Sequence, residues 1–317
     1  MALSMMFGSY AAGSTPMGGG TVGFPILVLL FDKPAELGRD FSFAVQSIGM
    51  TSAAIFILAR RQPLAGAMLK GAILGASFGV PLGIFLVAPW VPALWIKLTF
   101  AVIWGSFGIL HLWRIHEIAA HEGMTDFDER WDIRLGLVTG LLAGATVVSV
   151  SGVGIDMVIY TILVLVCRAD LKIAIPTSVI IMAYCSVLGI LTKLAFTGVQ
   201  EGVFGNWLAA APVVALGAPL GAFVVDRIGR KPTLVVVAVL CVGQLVWTLA
   251  RERAVLGLGG FALSVLAVLA CLYGFERLRA WGAVLIGEIR RKQTVLDFQE
   301  EEPVRQSAPA RSAVPEP

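Results

Sequence analysis

The sequence contains little charge. Of its 317 residues, only 14% are Asp, Glu, Lys or Arg, whereas 57% are hydrophobic. A soluble globular domain carries about a quarter charged residues, so the composition excludes that class. The apolar runs are about 20 residues long, enough to cross a bilayer. They do not alternate with polar residues as transmembrane β-strands do. We therefore expect an all-α polytopic membrane protein, with the lipid bilayer as its first partner.

Cysteine and histidine are also scarce. The four cysteines stand singly in or beside apolar segments, without Cys-x-x-Cys spacing, which is typical of small buried side chains. They are Cys167, Cys185, Cys241 and Cys271. The three histidines are five residues apart, so successive ones lie about 140° apart around a helix and share no face. They are His111, His116 and His121. No metal site and no cofactor are predicted from them.

Catalytic and nucleic-acid motifs are missing as well. No histidine follows Ser149 and Ser151 to act as a base, as a serine nucleophile requires. No second aspartate at membrane depth completes a dyad with Asp156. The chain has neither an ATPase motif nor a nucleic-acid-binding motif. We therefore predict that it is not an enzyme and has no nucleic-acid partner.

Glycine, by contrast, interrupts two apolar segments. The first, residues 3–31, is broken at Gly13–Gly20, where Pro16 and three consecutive glycines cannot hold a stable helix. The second, residues 135–166, is broken at Ser149–Asp156, which contains two glycines, two serines and the aspartate. Each segment is predicted to form two half-helices that meet near the middle of the membrane.

The two broken segments belong to an internal repeat. At an offset of 136 residues, Gly8 aligns with Gly144, Gly18 with Gly154 and Ser42 with Ser178. At an offset of 138, Gly-Val-Pro-Leu-Gly of residues 79–83 aligns with Gly-Ala-Pro-Leu-Gly of residues 217–221. We expect two homologous halves with three transmembrane helices each after the broken segment. The predicted divisions are a first repeat (1–113), a polar cytoplasmic linker (114–134), a second repeat (135–250), an extra C-terminal helix with a basic flank (251–292) and a disordered tail (293–317).

Corresponding loops of the two halves differ in charge. Arg60 and Arg61 follow the first full helix of half one, whereas the equivalent loop, residues 197–206, has neither Lys nor Arg. The next pair shows the reverse, because only the loop at residues 226–232 is basic. Cytoplasmic loops carry the excess of Lys and Arg, so the halves are predicted to be inverted, each with a re-entrant hairpin. This predicts a cytoplasmic C-terminus. Separately from the loop charges, we expect the chain in a bacterial-type inner membrane.

Half-helix ends at membrane depth predict an anion site. The N-terminal end of a helix has free N–H groups and partial positive charge, and glycine lets an anion approach them. The predicted substrate-binding glycines are Gly18, Gly19, Gly20, Gly152 and Gly154. Hydroxyl groups at the breaks and polar residues along the path complete the prediction: Ser14, Thr15, Ser149, Ser151, Ser42, Gln46, Thr177 and Ser178. Two alternatives stay open, namely tight helix packing through small residues and hydroxyls that bond only to local backbone.

A few charged residues stand in or beside the apolar segments. Asp156 aligns with Gly20; it either couples transport to a proton or sodium ion or caps its own half-helix. Lys97 and Lys193 stand near segment ends and are expected to extend to the membrane interface. Arg39 and Asp40 stand at the end of a predicted loop, residues 32–40, just before the first full helix, which is predicted from residue 41. We interpret them as a pair at the entrance of the path.

Two motifs resemble a known family. Gly18-Gly-Gly-Thr-Val-Gly-Phe-Pro25, Ala174-Ile-Pro-Thr-Ser178 and the duplicated layout are similar to the TauE/SafE membrane permeases over residues 8–250. The resemblance implies an exporter of sulfite, a small organosulfonate or a related anion. Residues 151–156 lack the family's second glycine run ending in proline, and Arg39-Asp-Phe-Ser42 stands in place of the Thr-Ser element. For that reason we do not predict that sulfite, the family's named substrate, is the substrate of this chain.

The sequence thus predicts a secondary exporter of a small anion that works by alternating access. A sulfur oxyanion or an organosulfonate is the expected substrate. Two alternatives remain: a passive anion channel on the same scaffold, and a non-transporting membrane assembly or sensor component. Proton or sodium coupling and a homo-oligomer are left open.

Overall fold

The computed structural model describes residues 2–125 and 127–306. Over these residues the chain is helical and has no strand. Eight of the helices there are long and apolar enough to cross a membrane. This confirms the prediction of an all-α, multi-pass membrane protein.

The first half begins with an interrupted segment. α1 (Ala2–Ser14) stops before the glycine run, and α2 (Gly20–Pro25) starts after it and continues as π-helix through Leu30. Three long helices follow: α3 (Ala35–Ala59), α4 (Gly66–Leu86) and α5 (Ala93–Ile118).

The second half repeats this order. α6 (Glu129–Ala143), a π-helical stretch (Gly144–Val148) and the short α7 (Ser149–Ser151) form the first arm, and α8 (Ile155–Leu165) forms the second. Next come α9 (Leu171–Thr192), which continues as π-helix through Thr197, α10 (Val203–Ile228) and α11 (Arg230–Arg251). α12 (Arg253–Gln306) is additional and is kinked at Gly257, where φ is 59°.

Three boundaries differ from those predicted. α3 begins directly after Pro34, so Arg39 and Asp40 lie within a helix and are buried there rather than in a loop. α5 reaches Ile118 and α6 begins at Glu129, which leaves residues 119–128 as the link between the halves; Asp126 lies outside the described residues. The tail predicted to be disordered from residue 293 is helical through Gln306, and residues 307–317 lie outside the described residues.

Helices of the two halves pack reciprocally. α1 packs on α10, and its counterpart α6 packs on α4. α3 packs on both α9 and α10, α9 packs on α4, and α5 packs on α11. Exchanging the halves therefore maps the main helix contacts onto one another.

Glycine allows the closest of these contacts. On α4, a Cβ added at Gly71, Gly75 or Gly79 would overlap the backbone of α6, and one at Gly140 of α6 would overlap Ala72. A Cβ at Gly221 of α10 would likewise overlap the backbone of Tyr10 in α1. Small residues spaced four apart let helix backbones approach in this way in membranes. These glycines of the long helices therefore serve close helix packing, a role distinct from the one predicted for the glycines of the two breaks.

Candidate functional site

The two helix breaks lie against each other in the centre of the protein. A Cβ at Gly20 would overlap Val153 of the second break, and one at Gly18 would lie 3.0 Å from Asp156 Oδ2. Gly18, Gly152 and Gly154 have φ angles of 63°, 78° and 108°, which disfavour residues with a side chain. The two breaks, which are far apart in the sequence, therefore form one compact site, and the backbone turns in it require glycine.

Gln46 of α3 connects the two breaks. Its Nε2 donates to the carbonyl oxygen of Gly152 at 3.4 Å and to that of Ser42 at 3.3 Å. Its Oε1 faces Gly18 and has no hydrogen-bond partner, although the side chain is only 1% exposed. Buried acceptors normally have a partner, so this oxygen is an exception that requires an explanation.

Asp156 lies at the same point with its side chain 0% exposed. Its Oδ1 accepts from the backbone N–H of Met157 at 3.0 Å, at the start of α8. A carboxylate at a helix N-terminus is favourable, so Asp156 interacts with the end of its own half-helix, as one of the two alternatives predicted. Its Oδ2 has no partner. In this conformation the carboxyl group of Asp156 therefore occupies the N-terminus of α8.

The predicted hydroxyl ligands all donate to backbone of their own segment. Each bonds to a carbonyl oxygen three or four residues earlier, at 2.6 to 2.8 Å: Ser14, Thr15, Ser42, Ser149, Ser151, Thr177 and Ser178. This is the local bonding left open by the sequence. As hydrogen-bond donors to a ligand, these groups would have to rotate, and their role as ligands stays a prediction.

The predicted residues are only partly brought together. Gly18, Gly20, Ser42, Gln46 and Gly152 meet at the centre with Gly154 and Asp156. Gly19 instead faces Gly8 and Ala12 of α1. Thr177 lies at the α3–α4 turn, where its Oγ1 accepts from the backbone N–H of Ala65 at 3.0 Å.

Trp104 of α5 contacts both breaks, a role that the sequence did not predict. Its Nε1 donates to Thr21 Oγ1 at 2.7 Å, while its ring lies 2.8 Å from the position a Gly154 Cβ would take. It also stacks on Phe100, which stacks on Phe24, with ring centroids 4.2 and 4.5 Å apart. A tryptophan in an apolar run gives no sequence signal that separates this role from ordinary packing.

A basic cavity of about 230 Å³ adjoins the second break. Its walls include Arg39, Ser149 and Lys193, together with the half-buried Glu36. Arg39 Nε and Lys193 Nζ both contact Asp40 Oδ1, at 3.0 and 3.1 Å. Arg39 also reaches the break, because its carbonyl oxygen occupies the space of a Gly152 side chain. The prediction that Lys193 extends to the interface is wrong: it is 6% exposed and held by the buried carboxylate.

A second basic cavity, of about 440 Å³, lies at the other end of α9. Lys172, Arg230 and Lys231 line it, with Asp170 as the acidic residue. The helical stretch Leu171–Thr197 separates the ends, a length of about 40 Å at 1.5 Å per residue. The two cavities occupy equivalent places in the two halves, at the start of α3 and at the start of α9.

No metal centre is found in the described part of the chain. No three His, Cys, Asp or Glu side chains there are grouped to hold an ion. His111 instead makes hydrogen bonds to Tyr160 and to the carbonyl oxygen of Phe107, at 3.0 and 2.9 Å.

The comparison with known protein families identifies the family of this chain. The family described as "Sulfite exporter TauE/SafE" matches residues 1–248. Neither the curated proteins nor the solved structures provide a match. Because the matched region contains both helix breaks and all the predicted site residues, the chain belongs to the sulfite exporter TauE/SafE family of membrane transporters.

Proposed function

We propose that this protein is a secondary exporter of a small anion, either a sulfur oxyanion or an organosulfonate, in a bacterial inner membrane. The observation that carries the proposal is the meeting of two helix breaks at a buried centre, between basic cavities at opposite ends of α9. Discontinuous helices of this kind hold substrate in transporters built from inverted repeats.

Reciprocal packing supports an alternating-access mechanism. α1, the first helix of the first half, packs on α10 of the second half, and α6, the first helix of the second half, packs on α4 of the first half. The first helix of each half is therefore in contact with the other half. A rocking motion of one half against the other would move each break relative to its neighbour. The central glycines are buried here, so this conformation corresponds to a state closed around the site.

Loop charges orient the proposed path. By the excess of positive charge in cytoplasmic loops, Arg60 and Arg61 after α3 and Arg227 at the end of α10 support a cytoplasmic position for those loops. The cavity lined by Lys172 and Arg230 would then be the cytoplasmic entrance. The cavity lined by Arg39 and Lys193 would face the periplasm and receive the exported anion.

The charges in the cavity lined by Arg39 and Lys193 favour an anion. Two buried cations share one carboxylate there, and Asp40 Oδ2 is further engaged by the backbone N–H of Gln200 at 3.1 Å. Buried cations without full compensation are costly, and an anion in the cavity offsets that cost. Glu36 on the rim is half-buried and would limit how long the anion stays.

The proposal is tested with purified protein in proteoliposomes. Uptake of labelled sulfite, sulfate, thiosulfate and sulfoacetate is compared with uptake of a neutral solute and with protein-free vesicles. The expected result is saturable uptake of at least one sulfur anion, and counterflow when the unlabelled anion is trapped inside. An ohmic current without counterflow would establish a channel instead, and the absence of any anion flux would overturn the proposal.

A further inference from the structure

Two buried acceptor oxygens without partners lie against the same glycine. Gln46 Oε1 and Asp156 Oδ2 are the two atoms nearest to the space that a Gly18 side chain would occupy, apart from the chain next to Gly18 itself. Both are buried and neither has a hydrogen-bond partner. One belongs to α3 of the first half and the other to α8 of the second, so the pair bridges the interface that the proposed mechanism opens and closes.

A single proton placed between the two oxygens would satisfy both. If Oδ2 of Asp156 is protonated, it becomes a donor, and the neighbouring amide oxygen of Gln46 is an acceptor that cannot itself donate. The other atoms of the two side chains are already used, since Gln46 Nε2 donates to Gly152 and Asp156 Oδ1 accepts from Met157. A sodium ion fits less well, because hard cations are held by several oxygen ligands and only these two lack a partner here.

We propose that Asp156 and Gln46 form the proton-coupling site of the transporter, a pair that binds one exchangeable proton per chain. The inference rests on the proposed function, since it assigns the ion that moves with the anion. Protonated Asp156 donates to Gln46 and holds the two breaks together. Loss of that proton leaves two acceptors facing each other and a buried carboxylate, which favours separation of the halves.

The surroundings of the pair contain few other titratable groups. The Cys185 thiol of α9 lies close enough to Asp156 to interact with it electrostatically, and Trp104 of α5 lies against Gly154 in the second break. One turn further along α8, the Tyr160 hydroxyl is bonded to His111. α12 meets α8 where Gly282 contacts Leu165, at the end of α8 remote from Asp156.

The charged residues of α3 do not face the pair directly. Arg39 and Asp40 are engaged with Lys193 in the cavity beyond the break, and Arg39 meets Gly152 through its backbone carbonyl oxygen. The proton site is therefore separate from the basic residues that would attract the anion.

The two sites are linked by charge. An anion between the breaks and an ionised Asp156 repel each other, so binding of the anion favours protonation, and protonation favours binding of the anion. A dianion and one proton then cross together with a net charge of −1, and the membrane potential, which is negative inside the cell, drives this pair outward. Gly20, the equivalent of Asp156 in the first half, carries no carboxyl group, so the stoichiometry is one proton for each anion.

Transport of thiosulfate by Asp156→Asn tests the inference, because the charge of this anion does not change over the pH range used. Wild-type protein in proteoliposomes is expected to accumulate thiosulfate when a proton gradient is imposed. In Asp156→Asn, accumulation should fall by about tenfold or more, while counterflow continues without pH dependence. Asp156→Glu should restore proton-driven accumulation, and Glu201→Gln in an exposed loop is the matched control.

Infrared difference spectroscopy provides a readout independent of transport. The C=O stretch of a protonated carboxylic acid should be present in wild-type protein and absent in Asp156→Asn, and it should shift in Gln46→Leu. Proton-driven accumulation that survives Asp156→Asn, a carboxylic acid band that survives it, or accumulation driven by sodium alone would overturn the inference. If wild-type protein moves no anion yet the band behaves as expected, the proposed function fails while the proton site stands.

Discussion

The side-chain amide of Gln46 donates to the carbonyl oxygen of Gly152 across 3.4 Å, joining residues 106 positions apart in the sequence. Through this bond a helix of the first half holds the helix break of the second. In the mechanism we propose, the two halves separate at this bond when a substrate passes. The contact is therefore a structural link and a barrier at the same time, and its removal should affect both stability and transport.

Replacement of Gln46 by leucine should destabilise the protein by about 1–2 kcal/mol, because the Gly152 carbonyl loses a donor in a buried site. Thermal unfolding in detergent measures the change. Gln244→Leu is the matched control, because Gln244 lies in an apolar groove between α2 and α11, where leucine costs nothing. Equal stability of the two variants would contradict the role assigned to Gln46.

Gly152→Ala should also destabilise the protein. Its φ of 78° costs a residue with a Cβ about 1–2 kcal/mol, and the new methyl group overlaps the Arg39 carbonyl oxygen. Gly243→Ala in α11 has open space around it and should instead stabilise the helix by up to about 1 kcal/mol. The unfolding temperatures of the two variants should therefore move in opposite directions. A shift in the same direction would argue against a break that requires glycine.

Lys193→Met should weaken recognition of the anion. The change removes one of two cations that share Asp40, so the field that attracts an anion to this cavity falls. We expect KM for the transported anion to rise by about tenfold, which corresponds to about 1.4 kcal/mol of lost binding. Lys33→Met, in an exposed position near the start of α3, should leave KM unchanged. An unchanged KM in both variants would show that this cavity is not part of the substrate path.

Inversion of the halves predicts the sidedness of two positions. A cysteine placed at Glu201 should be labelled from the periplasm by a membrane-impermeant maleimide, and one placed at Arg227 only after the cytoplasmic face is exposed. Background labelling is low, since three native cysteines are buried; the half-buried Cys271 is first replaced by serine. Labelling of both positions from the same face would disprove the inverted repeat.

Features that depend on local sequence were predictable. Apolar runs gave the membrane helices, and the run Gly18-Gly19-Gly20 and the pair Gly152 and Gly154 gave both breaks, because backbone conformation there is set by the absence of a Cβ. The start of α3 was misplaced, because Arg39 and Asp40 are charged. A buried partner, Lys193, makes that charge tolerable, and the partner is 153 positions away in the sequence.

Contacts between the halves were the part that sequence could not supply. Gln46 and Asp156 were assigned to separate roles, and no periodicity of either helix indicates that their oxygens face the same glycine. The hydroxyl groups illustrate a second limit. Ser42 does lie at the centre and Ser151 lies in the second break, but the direction of each hydroxyl proton depends on the backbone carbonyl oxygens available nearby. These carbonyls belong to the same segments.

The central claim, that a small anion binds between the two helix breaks, is tested most directly by calorimetric titration of the purified protein with thiosulfate. The account predicts saturable binding that weakens by about tenfold or more in Gly20→Ala, because the new methyl group would overlap Val153 and Gln46 and alter the contact between the two breaks. Binding should be unchanged in Gly243→Ala. Equal affinity in all three proteins, or no saturable binding of any sulfur anion to the wild type, would contradict it.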